Sequence, residues 1–122
     1  MASFKDLRVW QDAMKLTIDV YRATSDFPKS EVYGLSQQMR RAAVSIPSNI
    51  AEGKGHRSDP EFTRYLLHAR GSLLELQTQV MLAGELGYLN DAHTRSLLDE
   101  ADCIGRGLNG LINSLKIHRP AA

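Results

Sequence analysis

The chain has a single cysteine, Cys103, a single tryptophan, and no apolar run near the roughly eighteen residues that would cross a bilayer. One thiol rules out an internal disulfide and suits a reducing compartment. The N-terminus, MASFKDLRVW, carries charges where a secretory signal needs its apolar stretch. These absences predict a cytoplasmic protein with no membrane partner. Strand-like alternation and long repeats are missing too. So is an excess of charge of one sign: 15 bases stand against 14 acids, a net charge of +1. At 122 residues the chain is expected to be one domain, 1–122, large enough to bury a core without disulfides or metal.

The near-neutral total conceals an uneven layout. Residues 29–70 carry seven bases and four acids, and residues 71–102 carry one base and six acids. Residues 103–122 carry three bases and no acid. A subunit charged in this way presents a basic face while staying neutral overall.

Apolar residues recur with helical period in four stretches. The first, about 6–25, has the row Val9, Ala13, Leu16 and Val20 with Trp10, Met14, Thr17 and Tyr21 beside it, and Phe27-Pro28 stops it. The second, about 33–54, buries Leu35, Met39, Ala42, Ala43, Ile46 and Ile50, and Gly53 and Gly55 are expected to end it. The third, about 59–86, opens with Ser58 three residues before Glu61 and with Pro60 in its first turn. Its row is Phe62, Leu66, Ala69, Leu73, Leu76, Val80 and Ala83, and Gly87 closes it. The fourth, about 91–118, places Leu97, Ala101, Ile104, Leu108, Leu111 and Leu115 inward. Gly105, Gly107 and Gly110 weaken that helix by up to ~1 kcal/mol each, which points to close approach by a neighbouring helix or subunit. Short links make sequential helices antiparallel neighbours. The predicted fold is all-α, an antiparallel up-down-up-down four-helix bundle.

Pro47 lies inside the second helix. A proline there removes one backbone hydrogen bond and clashes one turn back, at roughly 3 kcal/mol. Ser45, Ser48 and Asn49 flank it and are able to bond freed backbone groups. The expectation is a helix that is kinked at Pro47 but continues to Gly53.

Two polar rows face each other if the chain folds back at Gly55–Ser58. That fold pairs Arg41 with Glu75 and Glu52 with Arg64, and sets Ser45 over Gly71. Read as chemistry, Glu52, His68 and Glu75 would serve as acid, base or metal ligands. Read as structure, Arg41, Ser45, Asn49, Glu52, Ser72 and Glu75 form a polar network that fixes helix register. The structural reading is preferred, because ion-pair networks often mimic sites. No Glu-x-x-His pair is present for a di-iron centre, Cys103 has no second thiol, and GKGHRS lacks the rest of a phosphate-binding loop. No serine sits in a strained elbow. The chain is therefore expected to be non-enzymatic, with no catalytic residue, metal or cofactor. Basic residues lead further. Arg40, Lys54, His56, Arg57 and Arg64 gather around the second helix and the turn after it, the third helix adds Arg70, and phosphate contacts need flexible cations of this kind.

The segments QQMRRAAVSIPSNIAEGKGHRS, EFTRYLLHARGSLLELQTQV and LGYL, with FKDLRVWQDAMKL and FPKSEVYGL before them, resemble the 23S ribosomal RNA intervening-sequence proteins over residues 4 to about 117. The matching positions are Arg41, Ser45, Pro47, Asn49, Glu52, Gly53, Gly71, Ser72 and Glu75. The resemblance implies a bacterial four-helix bundle that assembles as a homopentamer. A similar bundle, the accessory variability determinant of diversity-generating retroelements, partners a reverse transcriptase and binds nucleic acid through a basic surface. The resemblance thus implies an oligomer that binds ribosomal or other structured RNA, or a nucleoprotein such as a reverse transcriptase. The alternative is a protein–protein assembly module without direct nucleic-acid contact.

Overall fold

A computed structural model describes residues 3–117. Four α-helices carry the chain: α1 Arg8–Thr24, α2 Leu35–Gly55, α3 Asp59–Glu85 and α4 Asp91–Ile117. Short 3-10 turns at Phe4–Asp6 and Lys29–Glu31 precede α1 and α2, and the described residues contain no strand. Each helix packs on its neighbours in sequence and α1 closes against α4, while among the described residues no Cα atoms of the diagonal pairs lie within 8 Å. That is a bundle around one core.

Local signals set most of the ends. Ser58 caps α3, its hydroxyl accepting from the Glu61 amide at 3.4 Å, and Pro60 lies in the first turn. At the other end of α3, Gly87 takes φ 78°. Its N–H donates to Gly84 O at 3.1 Å and the Tyr88 N–H to Ala83 O at 2.9 Å, the paired bonds of a Schellman motif. The end of α2 differs from the expectation. Gly53 and Gly55 both stay helical, and the left-handed residue is Arg57, with φ 55°. Gly53 serves packing instead: a Cβ there would stand 2.6 Å from Tyr65 Cβ and 3.1 Å from Phe62 Cδ1 on α3.

The expected α1 row, Val9, Ala13, Leu16 and Val20, is buried, but the flanking Met14 and Tyr21 are exposed. All seven residues of the α3 row are buried. On α4 the row runs Leu97, Ala101, Ile104, Leu108 and then Ile112, with Leu111 and Leu115 only partly buried. A straight helix drifts about 20° per heptad against a 3.5-residue repeat, so the inward position slips by one residue along a long element. Of the three α4 glycines, Gly107 is closely approached, its missing Cβ 3.2 Å from Val9 Cγ2. Gly105 makes an ordinary contact and Gly110 faces open space.

Helix α2 runs unbroken through Pro47 to Gly55. The carbonyl that loses its partner to the proline is that of Ala43, one turn earlier. It accepts from Thr17 Oγ1 of α1 at 3.1 Å, a hydroxyl whose one proton is shared with Ala13 O at 2.8 Å. Compensation therefore comes from the neighbouring helix. The local polar residues act elsewhere: Asn49 Nδ2 donates to Ser45 O at 2.8 Å and Ser45 Oγ at 3.0 Å, and Ser45 Oγ meets Ser72 Oγ at 2.7 Å.

Candidate nucleic-acid interface

Three residues, His56 to Ser58, connect α2 to α3. The missing side chain of Gly53 lets the last turn of α2 press on Phe62 and Tyr65, which draws the polar groups of both helix ends together. Lys54 lies half-buried with its ammonium 5.7 Å from the Phe62 ring centroid. The His56 imidazole stacks on Tyr65 with centroids 5.1 Å apart and planes 16° from parallel. Arg64 sets its guanidinium 4.6 Å from the same ring centroid. The Tyr65 hydroxyl donates to Glu52 Oε1 at 3.3 Å.

Arg64 also donates to Glu61 Oε2 through Nη2 at 2.8 Å and Nε at 3.2 Å. The hydrogen bond from Arg64 holds the Glu61 carboxyl below the usual carboxylate range, and the same bond raises the guanidinium. That carboxylate is therefore turned to Arg64. Lys54 and Arg57 make no ion pair among the described residues, and Arg57 is exposed.

Four of the six basic candidates, Lys54, His56, Arg57 and Arg64, thus share one end of the bundle. The other two are elsewhere. Arg70 donates to Asn109 Oδ1 on α4 at 3.0 Å. Arg40, near the start of α2, donates to Thr24 Oγ1 at 2.8 Å and Tyr21 O at 3.2 Å.

The expected α2–α3 ion pairs are replaced. Ser45 meets Ser72 and Glu52 meets Tyr65, one residue beyond the register that pairs Ser45 with Gly71 and Glu52 with Arg64. One residue is about 100° around a helix, enough to turn Arg64 away to Glu61. Arg41 and Glu75 line one cleft with Gln38, Ser45 and Ser72, yet form no ion pair, and Glu75 accepts from Gln79 Nε2 at 3.3 Å. Both are exposed, so Arg41 is not left buried when Glu75 is removed. Buried Gln79 would lose that acceptor, so Glu75→Ala is expected to cost about 1 kcal/mol, read as a urea midpoint below that of Glu85→Ala.

Among the described residues no three His, Cys, Asp or Glu side chains converge as a metal site. Glu52, His68 and Glu75 have separate neighbours: Glu52 bonds Tyr65, Glu75 bonds Gln79, and exposed His68 lies 6.2 Å from the Tyr65 ring. A second carboxylate cluster lies between α1 and α4, where Lys15 Nζ reaches Asp19 at 2.9 Å and Glu100 at 3.1 Å. Burial and the neighbouring Asp19 push the Glu100 carboxyl up. Burial pushes Asp19 up as well, but its bonds to Lys15 and Glu100 outweigh that and leave it lowered. The cluster ties the two helices.

The aromatic member of the basic end, Tyr65, escaped the sequence reading. The available signal was the three-residue link, which forces a side chain from the second turn of α3 against the last turn of α2.

The family model described as 23S rRNA-intervening sequence protein matches residues 5–110, most of the chain. The chain belongs to that family. A solved structure of a protein with unknown function from the S23 ribosomal protein family of Bacteroides thetaiotaomicron is similar, with a TM-score of 0.77 at 20% identity. The match covers 85% of this chain and 97% of that one, and at this identity it speaks for the fold alone. No curated protein matches. Among the described residues of this family member, no helix is long and apolar enough to cross a membrane.

Proposed function

We propose that this member of the 23S rRNA-intervening sequence family is a non-enzymatic, oligomeric bundle that binds RNA or a ribonucleoprotein through the end where α2 meets α3. The observation that carries this reading is the pair Lys54 and Arg57, without carboxylate partners among the described residues, beside an imidazole stacked on Tyr65. Cations free of internal partners release counterions on meeting phosphate, and an exposed stacked ring offers a face to an unpaired base. A cytoplasmic setting fits exposed Cys103, a free thiol.

Replacing Lys54 and Arg57 together with glutamine is expected to leave helicity unchanged by circular dichroism. Affinity for structured RNA should fall, and the salt dependence should flatten by about one unit of slope per lost contact. Fluorescence anisotropy across a salt series measures both. If the native chain shows no salt-sensitive RNA binding near neutral pH, the nucleic-acid reading is wrong.

A second reading, assembly with protein alone, draws on a different surface. Leu67, Leu74 and Met81 lie exposed on α3 at seven-residue spacing, and Met14 and Ile18 lie exposed on α1 across the bundle. Two unlike apolar faces suit head-to-tail contacts that close into a ring, such as the homopentamer the family resemblance implies. Leu74→Glu should convert such a ring to monomers in sedimentation velocity. A native chain that already sediments as a monomer at micromolar concentration would remove this reading.

A further inference from the structure

The opposite end of α2, about 25 Å from Lys54 by helical rise, carries a feature that the reading above leaves unused. A groove of about 560 Å³ runs between the end of α1, the Lys29–Glu31 turn and the start of α2. Lys29, Arg40 and Arg41 line it, and among the described residues no aspartate or glutamate does. Of the two acids beside it in sequence, Asp26 lines a separate cleft with Arg22 and Tyr88, and Glu31 spends its carboxylate on the Tyr88 hydroxyl at 2.8 Å and the Leu35 amide at 3.2 Å.

Arg40 is held by neutral groups only, namely Thr24 Oγ1, Tyr21 O and the face of the Tyr21 ring at 4.6 Å. Two of its five N–H donors are used, so a fixed guanidinium keeps three donors and an uncompensated charge. A guanidinium whose geometry is already set loses little entropy on meeting an anion.

A second observation points to the same place. Ser36, 7% exposed as a residue, lines the groove, and its hydroxyl is open to a ligand there. It belongs to the first turn of α2, where Gly34 supplies no side-chain cap and the Glu31 carboxylate takes only the Leu35 amide. The amides of Ser36 and Gln37 likewise have no backbone acceptor among the described residues. Unfilled donors at a helix start favour a phosphate oxygen. At the rim, Tyr33 is 89% exposed, an aromatic ring free to stack.

We propose that this groove binds a nucleotide unit, its phosphate held by Lys29, Arg40 and Ser36 at the start of α2 and its base stacked on Tyr33. The volume lies within the range of pockets that enclose small ligands. Phosphate alone would use the donors and leave the ring idle, and a nucleoside alone would do the reverse. A ligand carrying both is bound best.

The test titrates the full-length, nitrogen-15-labelled chain at low salt. The probes are adenosine monophosphate, adenosine, inorganic phosphate, and a four-base single-stranded RNA without terminal phosphates. Adenosine monophosphate is expected to bind more tightly than adenosine or phosphate, moving the amide signals of Ser36 and Gln37. Tyr33→Ala should weaken it about tenfold and leave inorganic phosphate unaffected, given a stacking contribution of ~1–3 kcal/mol per base. Lys29→Gln with Arg41→Gln, both at exposed positions, should weaken every phosphate-bearing probe and flatten the salt dependence. Tighter binding of the oligonucleotide at the same amides identifies a strand as the source. Tighter binding of the monophosphate identifies a free nucleotide. No shift at Ser36 and Gln37 with either overturns the proposal. So do shifts confined to Lys54–Arg57, which would leave the α2–α3 interface standing without the groove.

Discussion

Gly53→Ala is expected to lower stability by about 1–3 kcal/mol, with a fall in melting temperature on the order of 4 °C per kcal/mol. The added Cβ would stand 2.6 Å from Tyr65 Cβ, an atom fixed to the α3 backbone, so the two helices must separate. Alanine also has a higher helix propensity than glycine by about 1 kcal/mol, which opposes the loss. Gly110→Ala isolates that opposing term, because nothing lies within 4 Å of a Cβ there. It should stabilise by up to ~1 kcal/mol. Thermal melts of both variants decide the matter: a Gly53→Ala chain as stable as the native one would show that α2 and α3 are not held at this spacing.

Thr17→Val should destabilise by about 1–3 kcal/mol, since it keeps the shape and leaves the Ala43 carbonyl without its donor. The diagnostic is a double-mutant cycle with Pro47→Ala. Alanine at position 47 restores an N–H able to reach Ala43 O, so the hydroxyl of Thr17 becomes redundant. In that background Thr17→Val should cost only a few tenths of a kcal/mol, a coupling of about 1 kcal/mol or more. Equal costs in both backgrounds, measured by urea unfolding, would mean that Thr17 serves its own helix through Ala13 and not the proline.

Both outcomes depend on contacts between helices, and that is where the sequence was least legible. The periodic rows of α1 and α3 named their buried residues because burial on a helix repeats with the backbone's own geometry. Ser58 and Gly87 marked the ends of α3 because caps are local chemistry. The slip from Leu111 to Ile112 was not visible, because drift against a fixed repeat builds up with length and only the partner helices show which residue ends up inside.

At the candidate site the same division holds. The basic residues after Gly53 were plain in the sequence, and so was the turn that carries them. Their grouping was not. Arg64 turned to Glu61, Arg40 to Thr24 and Arg70 to Asn109, each within reach of several partners from the sequence alone. Tyr65 became the ring beneath His56 through the close approach that Gly53 permits.

The sequence by itself determined four helices, their order, the faces they bury and the break between α2 and α3, because periodicity, caps and breakers act within a few residues. Tertiary structure decided the register of α2 on α3, the donor that satisfies the Pro47 gap, and which cations keep an unpaired charge. Those depend on atoms far apart in the chain, and a shift of one residue turns a side chain by about 100° to a different neighbour.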